Sequence, residues 1–107
     1  MKIIQVTYTI TSAYVEQNKR NIQLVMAELR KLNRPGLGYF SCLSEDGKTF
    51  IHTAFFESDE DQQVLSELVA FQQFQRALQS SVPEVPPRQE ILTLVDSTTM
   101  TGFKSSA

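Results

Sequence analysis

Residues Pro35 to Glu57, PGLGYFSCLSEDGKTFIHTAFFE, constrain this chain most. Two strand-like runs flank the turn Glu45-Asp46-Gly47-Lys48. Each run carries large apolar side chains at both parities: Leu37, Tyr39, Phe40 and Leu43 in the first, Phe50, Ile51, Phe55 and Phe56 in the second. A sheet with one wet face alternates apolar and polar residues. This hairpin needs cover on both faces, and helices from so short a chain cover only one. The other face must meet a second subunit or enclose a ligand.

The rest of the chain supplies the missing elements. Lys2 to Ile10 reads as a strand, with Ile4, Val6, Tyr8 and Ile10 on one side. Thr11-Ser12 signals a helix N-cap, and from Ala13 to Leu32 apolar residues recur at helical spacing. Asn33-Arg34-Pro35-Gly36 stops that helix. The hairpin strands are expected over Leu37 to Ser44 and Lys48 to Glu57. Ser58-Asp59-Glu60-Asp61 opens a second helix, with its acids at the positive end of the dipole. One stripe, Val64, Leu65, Leu68, Phe71, Phe74 and Leu78, carries it to about Ser80. Pro83, Pro86 and Pro87 predict an extended connector over Ser81 to Arg88, followed by a last strand, Gln89 to Val95. The Ser/Thr-rich segment Asp96 to Ala107 reads as a tail, either mobile or laid over a partner.

Strand, helix, strand, strand, helix, strand is the order of a split βαβ unit, the ferredoxin-like α+β fold βαββαβ. It predicts a four-stranded antiparallel sheet with both helices on one face. The uncovered apolar face then predicts a homodimer through the sheet, with two-fold symmetry, closing a dimeric α+β barrel. Residues 1–95 form the single domain of this reading and 96–107 its tail.

Composition narrows the function. The 107 residues fit one domain, 41% of them hydrophobic and 21% charged. A net charge of −2 gives no basic stripe for a phosphate backbone, so no nucleic-acid partner is expected. Lys19, Arg20, Arg30, Lys31 and Arg34 read as the solvated face of the first helix. The lone Cys42 excludes an internal disulfide, fits a reducing compartment and reads as a small buried hydrophobe. Met1-Lys2 leads straight into a strand pattern, which predicts no signal peptide. No apolar run reaches the roughly 20 residues that span a bilayer. No membrane contact and a cytoplasmic location are the expectation.

With Pro35-Gly36 opening the second strand, Tyr39 following, Phe55-Phe56-Glu57 closing the third, and Leu65 and Phe74 in the second helix, residues 1 to 95 resemble the antibiotic-biosynthesis-monooxygenase-like proteins of the dimeric α+β barrel superfamily. The resemblance implies a dimeric barrel. It also implies a cofactor-independent monooxygenase acting on a small aromatic or quinol-type molecule, a haem-degrading enzyme, or a protein without assigned reaction. The chain departs from the family at two positions: Asp59 stands where relatives commonly carry Trp, and Leu68 where they often carry His.

His52, the only histidine, lies mid-strand on the face of Phe50, Ala54 and Phe56. An imidazole there is the candidate catalytic base toward a phenolic or enolic ligand; the alternative is a structural histidine bonded within the core. Tyr8 and Tyr39 are candidate ligand-binding hydroxyls, and Phe56 a candidate apolar contact. Tyr14 reads as core rim and Glu57 as a strand-end charge. No metal site is expected, because one His without carboxylates or Cys at ligand spacing builds no shell. No nucleotide or nucleophile-elbow motif occurs, and no cofactor is expected. RNA-recognition modules share the element order, but Lys48 to Phe55 lacks their glycines and His52 replaces a stacking aromatic. The readings that remain are an oxygenase, a non-catalytic dimer that binds a small molecule or only assembles, and an amino-acid-sensing module.

Overall fold

The computed structural model describes residues 1–98. Strand β1 spans Lys2–Thr9, helix α1 Val15–Leu32, β2 Leu37–Leu43, β3 Thr49–Phe56, α2 Asp59–Glu67, α3 Val69–Ser80 and β4 Val85–Leu92. The strands form one antiparallel sheet in the order β2-β3-β1-β4, the ferredoxin-like arrangement.

The register assigns the two faces. Tyr8 pairs with Phe50, Val6 with His52, Ile4 with Ala54, and Tyr39 also with Ala54. These residues face the helices. Tyr8, Ile10, Val25, Phe50, Phe74 and Leu78 form the main buried cluster, and Ala54, Phe56 and Leu65 a second. The opposite parity carries Ile3, Phe40, Cys42, Ile51, Phe55 and Leu92, with none of the described helices over it. The Phe55 ring fills the space above Gly38, where a Cβ would overlap it.

Several local expectations change. A 3₁₀ turn, Ser12–Tyr14, precedes α1, and Thr11 makes no side-chain cap bond. Asn33 ends α1 in the left-handed conformation at φ 47°, which its short polar side chain tolerates. Gly47 carries φ 75° in the hairpin turn. The helix expected from Ser58 to Ser80 is two helices. Leu68 is extended (φ −67°, ψ 123°) between α2 and α3, and a continuous apolar stripe does not reveal such a break. Ser58 and Asp61 close a reciprocal capping box at the start of α2.

The last strand begins earlier than expected, at Val85, and contains Pro86 and Pro87. It is an edge strand, where the missing N–H groups break no ladder on the open side. Thr7 pairs with Arg88 and Thr9 with Val85, so two prolines stand opposite the single residue Tyr8, a β-bulge. Cys42 is exposed in the single chain, not buried, because it lies on the uncovered face. The expected tail falls mostly on residues 99–107, which lie outside the described residues.

Candidate active site

Asn18, on the buried side of α1, reaches across to the sheet. Its Nδ2 donates to the Tyr8 hydroxyl at 2.8 Å. The Tyr8 hydroxyl lies 2.7 Å from His52 Nε2. On the other side of the ring, Nδ1 lies 2.8 Å from the Tyr39 hydroxyl. Three strands of the sheet and one helix thus join in one chain of polar groups: Asn18, Tyr8, His52, Tyr39. Rings enclose it: Tyr8 stacks on His52 with centroids 5.2 Å apart, and Phe74 lies 5.4 Å from the imidazole.

Burial governs the protonation of these groups. Desolvation lowers the His52 pKa to about 4, so the imidazole is neutral at pH 7. Desolvation pushes both Tyr8 and Tyr39 well above the ordinary tyrosine value, the bond from Asn18 offsetting part of the shift at Tyr8. Both ring nitrogens of His52 are engaged by hydroxyls, so neither presents a vacant lone pair.

The chain of polar groups opens into a cleft between sheet, α3 and the proline edge, with a volume of about 440 Å³. Tyr8, Tyr39 and His52 line its base, Phe71 and Phe74 one wall, and Pro83, Pro86 and Pro87 the other. A second lobe of about 220 Å³ shares Val6, Tyr39, His52, Phe71 and Gln75 and extends to Phe56 and Leu65. Among the described residues, no Asp, Glu, Lys or Arg lines either lobe. Among the described residues no cluster of His, Cys, Asp and Glu has the makings of a metal site.

The sequence-predicted residues therefore divide. Tyr8, His52 and Tyr39 come together in one network. Phe56 lines the second lobe without touching it. Tyr14 stays at the core rim, bonded by Asn21. Asp59, at the family's Trp position, is exposed near Lys2, and Leu68, at its His position, packs on the main core. Asn18 escapes the sequence reading. Its signal is nevertheless there: it falls on the apolar stripe of α1, four residues after Tyr14 and four before Ile22.

The chain matches no family model and no curated protein sequence. Solved structures do share its shape. The structure of Rv0793 from Mycobacterium tuberculosis is 10% identical, with a TM-score of 0.76 over 92% of this chain and 98% of that one. A crystal structure named as an antibiotic biosynthesis monooxygenase gives 8% identity and a TM-score of 0.73 over 90% of this chain and 100% of that one. A variant of SnoaB, a cofactor-independent oxygenase from Streptomyces nogalater, gives 12% and 0.67 over 90% and 95%. The resemblance read from the sequence holds at the level of architecture: this chain carries the fold of the antibiotic-biosynthesis-monooxygenase-like structures.

Proposed function

We propose that the cleft binds a small uncharged aromatic molecule of quinol or keto-enol type, and that the protein oxygenates it without a cofactor. The observation that carries this reading is the Tyr8–His52–Tyr39 chain ending in a cleft whose described lining residues carry no formal charge. A carboxylate or phosphate would find no cation among the described lining residues, whereas flat rings match the aromatic walls. The fold shared with a cofactor-independent oxygenase supports the reaction class.

In this proposal the Tyr39 hydroxyl meets the oxygen of the ligand. His52 stands behind it, polarising that hydroxyl without taking the substrate proton, since both imidazole nitrogens are already bonded. The ligand proton leaves to water at the open mouth, and the Tyr39 hydroxyl stabilises the anion. With a keto-enol ligand the electrons come from the ligand itself: the ring carbon that is a methylene in the keto form carries one hydrogen in the anion and adds to O2, and the resulting peroxide takes a proton from water. Loss of water then leaves a carbonyl. One oxygen atom stays in the product and the other departs as water.

The same reading includes a two-fold homodimer through the open sheet face, supported by the apolar residues Ile3, Phe40, Ile51 and Phe55 there. A binding-only role is the second reading. It is favoured by the saturated bonding of His52, which is also what a structural histidine shows. Oxygen uptake with a panel of hydroquinones and anthrone-type phenols separates the two. The oxygenase reading expects turnover that Tyr39→Phe lowers at least tenfold. Saturable binding without any oxygen consumption by the wild type leaves the binding role.

A further inference from the structure

The polar chain has two possible directions of donation, and only one satisfies it. The Asn18 amide donates to the Tyr8 oxygen, leaving the Tyr8 hydroxyl hydrogen in need of an acceptor. The acceptor within reach is His52 Nε2. If Tyr8 donates there, the neutral ring carries its hydrogen on Nδ1, which donates to the Tyr39 oxygen. The Tyr39 hydroxyl hydrogen is then left for the cleft. In the opposite direction Tyr39 donates to Nδ1, Nε2–H donates to Tyr8, and the hydrogen of a hydroxyl on a residue that is 1% exposed has no acceptor.

Turning the Asn18 amide over would supply that acceptor, but at a penalty. Asn18 is fully buried, and its Oδ1 has no partner among the described residues. In the flipped amide the NH2 group would occupy that position, orphaning donors, which proteins tolerate less well than an underused carbonyl. The observed orientation is the better one.

We infer that Asn18 is a positioning residue: by facing Tyr8 with its donor, it directs the hydrogen-bond chain outward, so that the resting cleft presents an O–H donor from Tyr39. The consequence is a preference for ligands that offer an oxygen acceptor, a carbonyl or a phenolate, at that point. This rests on Tyr39 as the group that meets the ligand, but its test needs no substrate. An unexpected tautomer and an absence of turnover are therefore separate results.

The protein has one histidine, so labelling with 15N-histidine gives a single imidazole to read. At pH 7 the wild type is expected to show a protonated Nδ1 and a bare Nε2 in long-range proton–nitrogen spectra. Asn18→Asp, read at a pH where the 13C shift of its carboxyl shows it ionised, offers Tyr8 an acceptor in place of a donor. The expected pattern reverses, with the proton on Nε2. Asn18→Ala makes room for a water that serves as either donor or acceptor, and the expected pattern averages between the two tautomers. Circular dichroism confirms which variants fold. A wild type protonated on Nε2 overturns the inference. So does the unchanged wild-type pattern in whichever of the two variants folds.

Discussion

Tyr8 and His52 are diagonal neighbours across β1 and β3, their rings stacked at 5.2 Å while the hydroxyl of one reaches Nε2 of the other at 2.7 Å. Diagonal pairs on one sheet face lie within reach of aromatic side chains. The strand register thus builds the polar centre directly into the apolar core.

Tyr8→Phe should therefore cost more stability than Tyr39→Phe. Loss of the Tyr8 hydroxyl strands both the Asn18 amide and His52 Nε2 in the main core, an expected loss of about 2–3 kcal/mol. Tyr39 borders the cleft, from which water can replace its hydroxyl, so its loss should cost about 1 kcal/mol. Denaturant unfolding of the two variants gives the order directly.

Stability should fall as pH drops from about 6.5 to 4. The folded His52 has a pKa of about 4 against the ordinary 6.5 of an unfolded chain, so over this window the unfolded chain binds the extra proton. Stability is complete above the unfolded value and levels off below the folded one, for a total of about 3 kcal/mol. The carboxyls of Asp46 and Asp61 are held below their ordinary value, so their contribution is lost only at lower pH. His52→Gln should flatten the slope between pH 6.5 and 4.5 in urea titrations.

Much of this centre was legible in the sequence, since alternation alone puts Tyr8, His52 and Tyr39 on strands and His52 on the face of Phe50 and Phe56. Pairing them required the register, which no single strand carries. Asn18 stayed hidden because polar residues on a helix are read by default as solvated, although its place on the apolar stripe contradicts that. The break at Leu68 was invisible because Leu65, Leu68 and Phe71 keep helical spacing across it. Pro86 and Pro87 pointed to a connector because prolines are read as strand breakers. Their place at an edge bulge opposite Tyr8 depends on tertiary pairing.

If the ligand proton leaves to water, the rate of oxygen uptake should rise with pH through the pKa of the ligand alone. It should show no inflection between pH 6 and 7, since His52 titrates near 4. An inflection in that range that disappears in His52→Gln would instead make the imidazole the base.

Asp61 anchors the start of α2 through two partnerships, the capping box with Ser58 and a 2.5 Å bond from Arg34 Nε. Its carboxylate also occupies the space beside Gly36, where a Cβ would overlap it. Asp61→Ala should cost about 2 kcal/mol, from the cap and the lost hydrogen bonds together. Glu60 also pairs with Arg34, but its side chain is 78% exposed. Glu60→Ala should change stability little, because solvent screens such a pair. Thermal unfolding of both variants in low and high salt tests the contrast.

The open sheet face gives the last prediction. Phe40 is 44% exposed in the single chain, and its ring lies 6.2 Å from that of Phe55, over a sheet face that none of the described helices covers. Burial of apolar surface stabilises by about 25 cal/mol per Å², so a second copy seated on this face would remove a considerable unfavourable exposure. A carboxylate placed at Phe40 would be desolvated by a second copy seated there, which opposes the association. The wild type is therefore expected to sediment as a dimer at micromolar concentration and Phe40→Glu as a monomer, with unchanged circular dichroism. A wild type that sediments as a monomer would leave the apolar face unexplained and remove the dimer from the proposal.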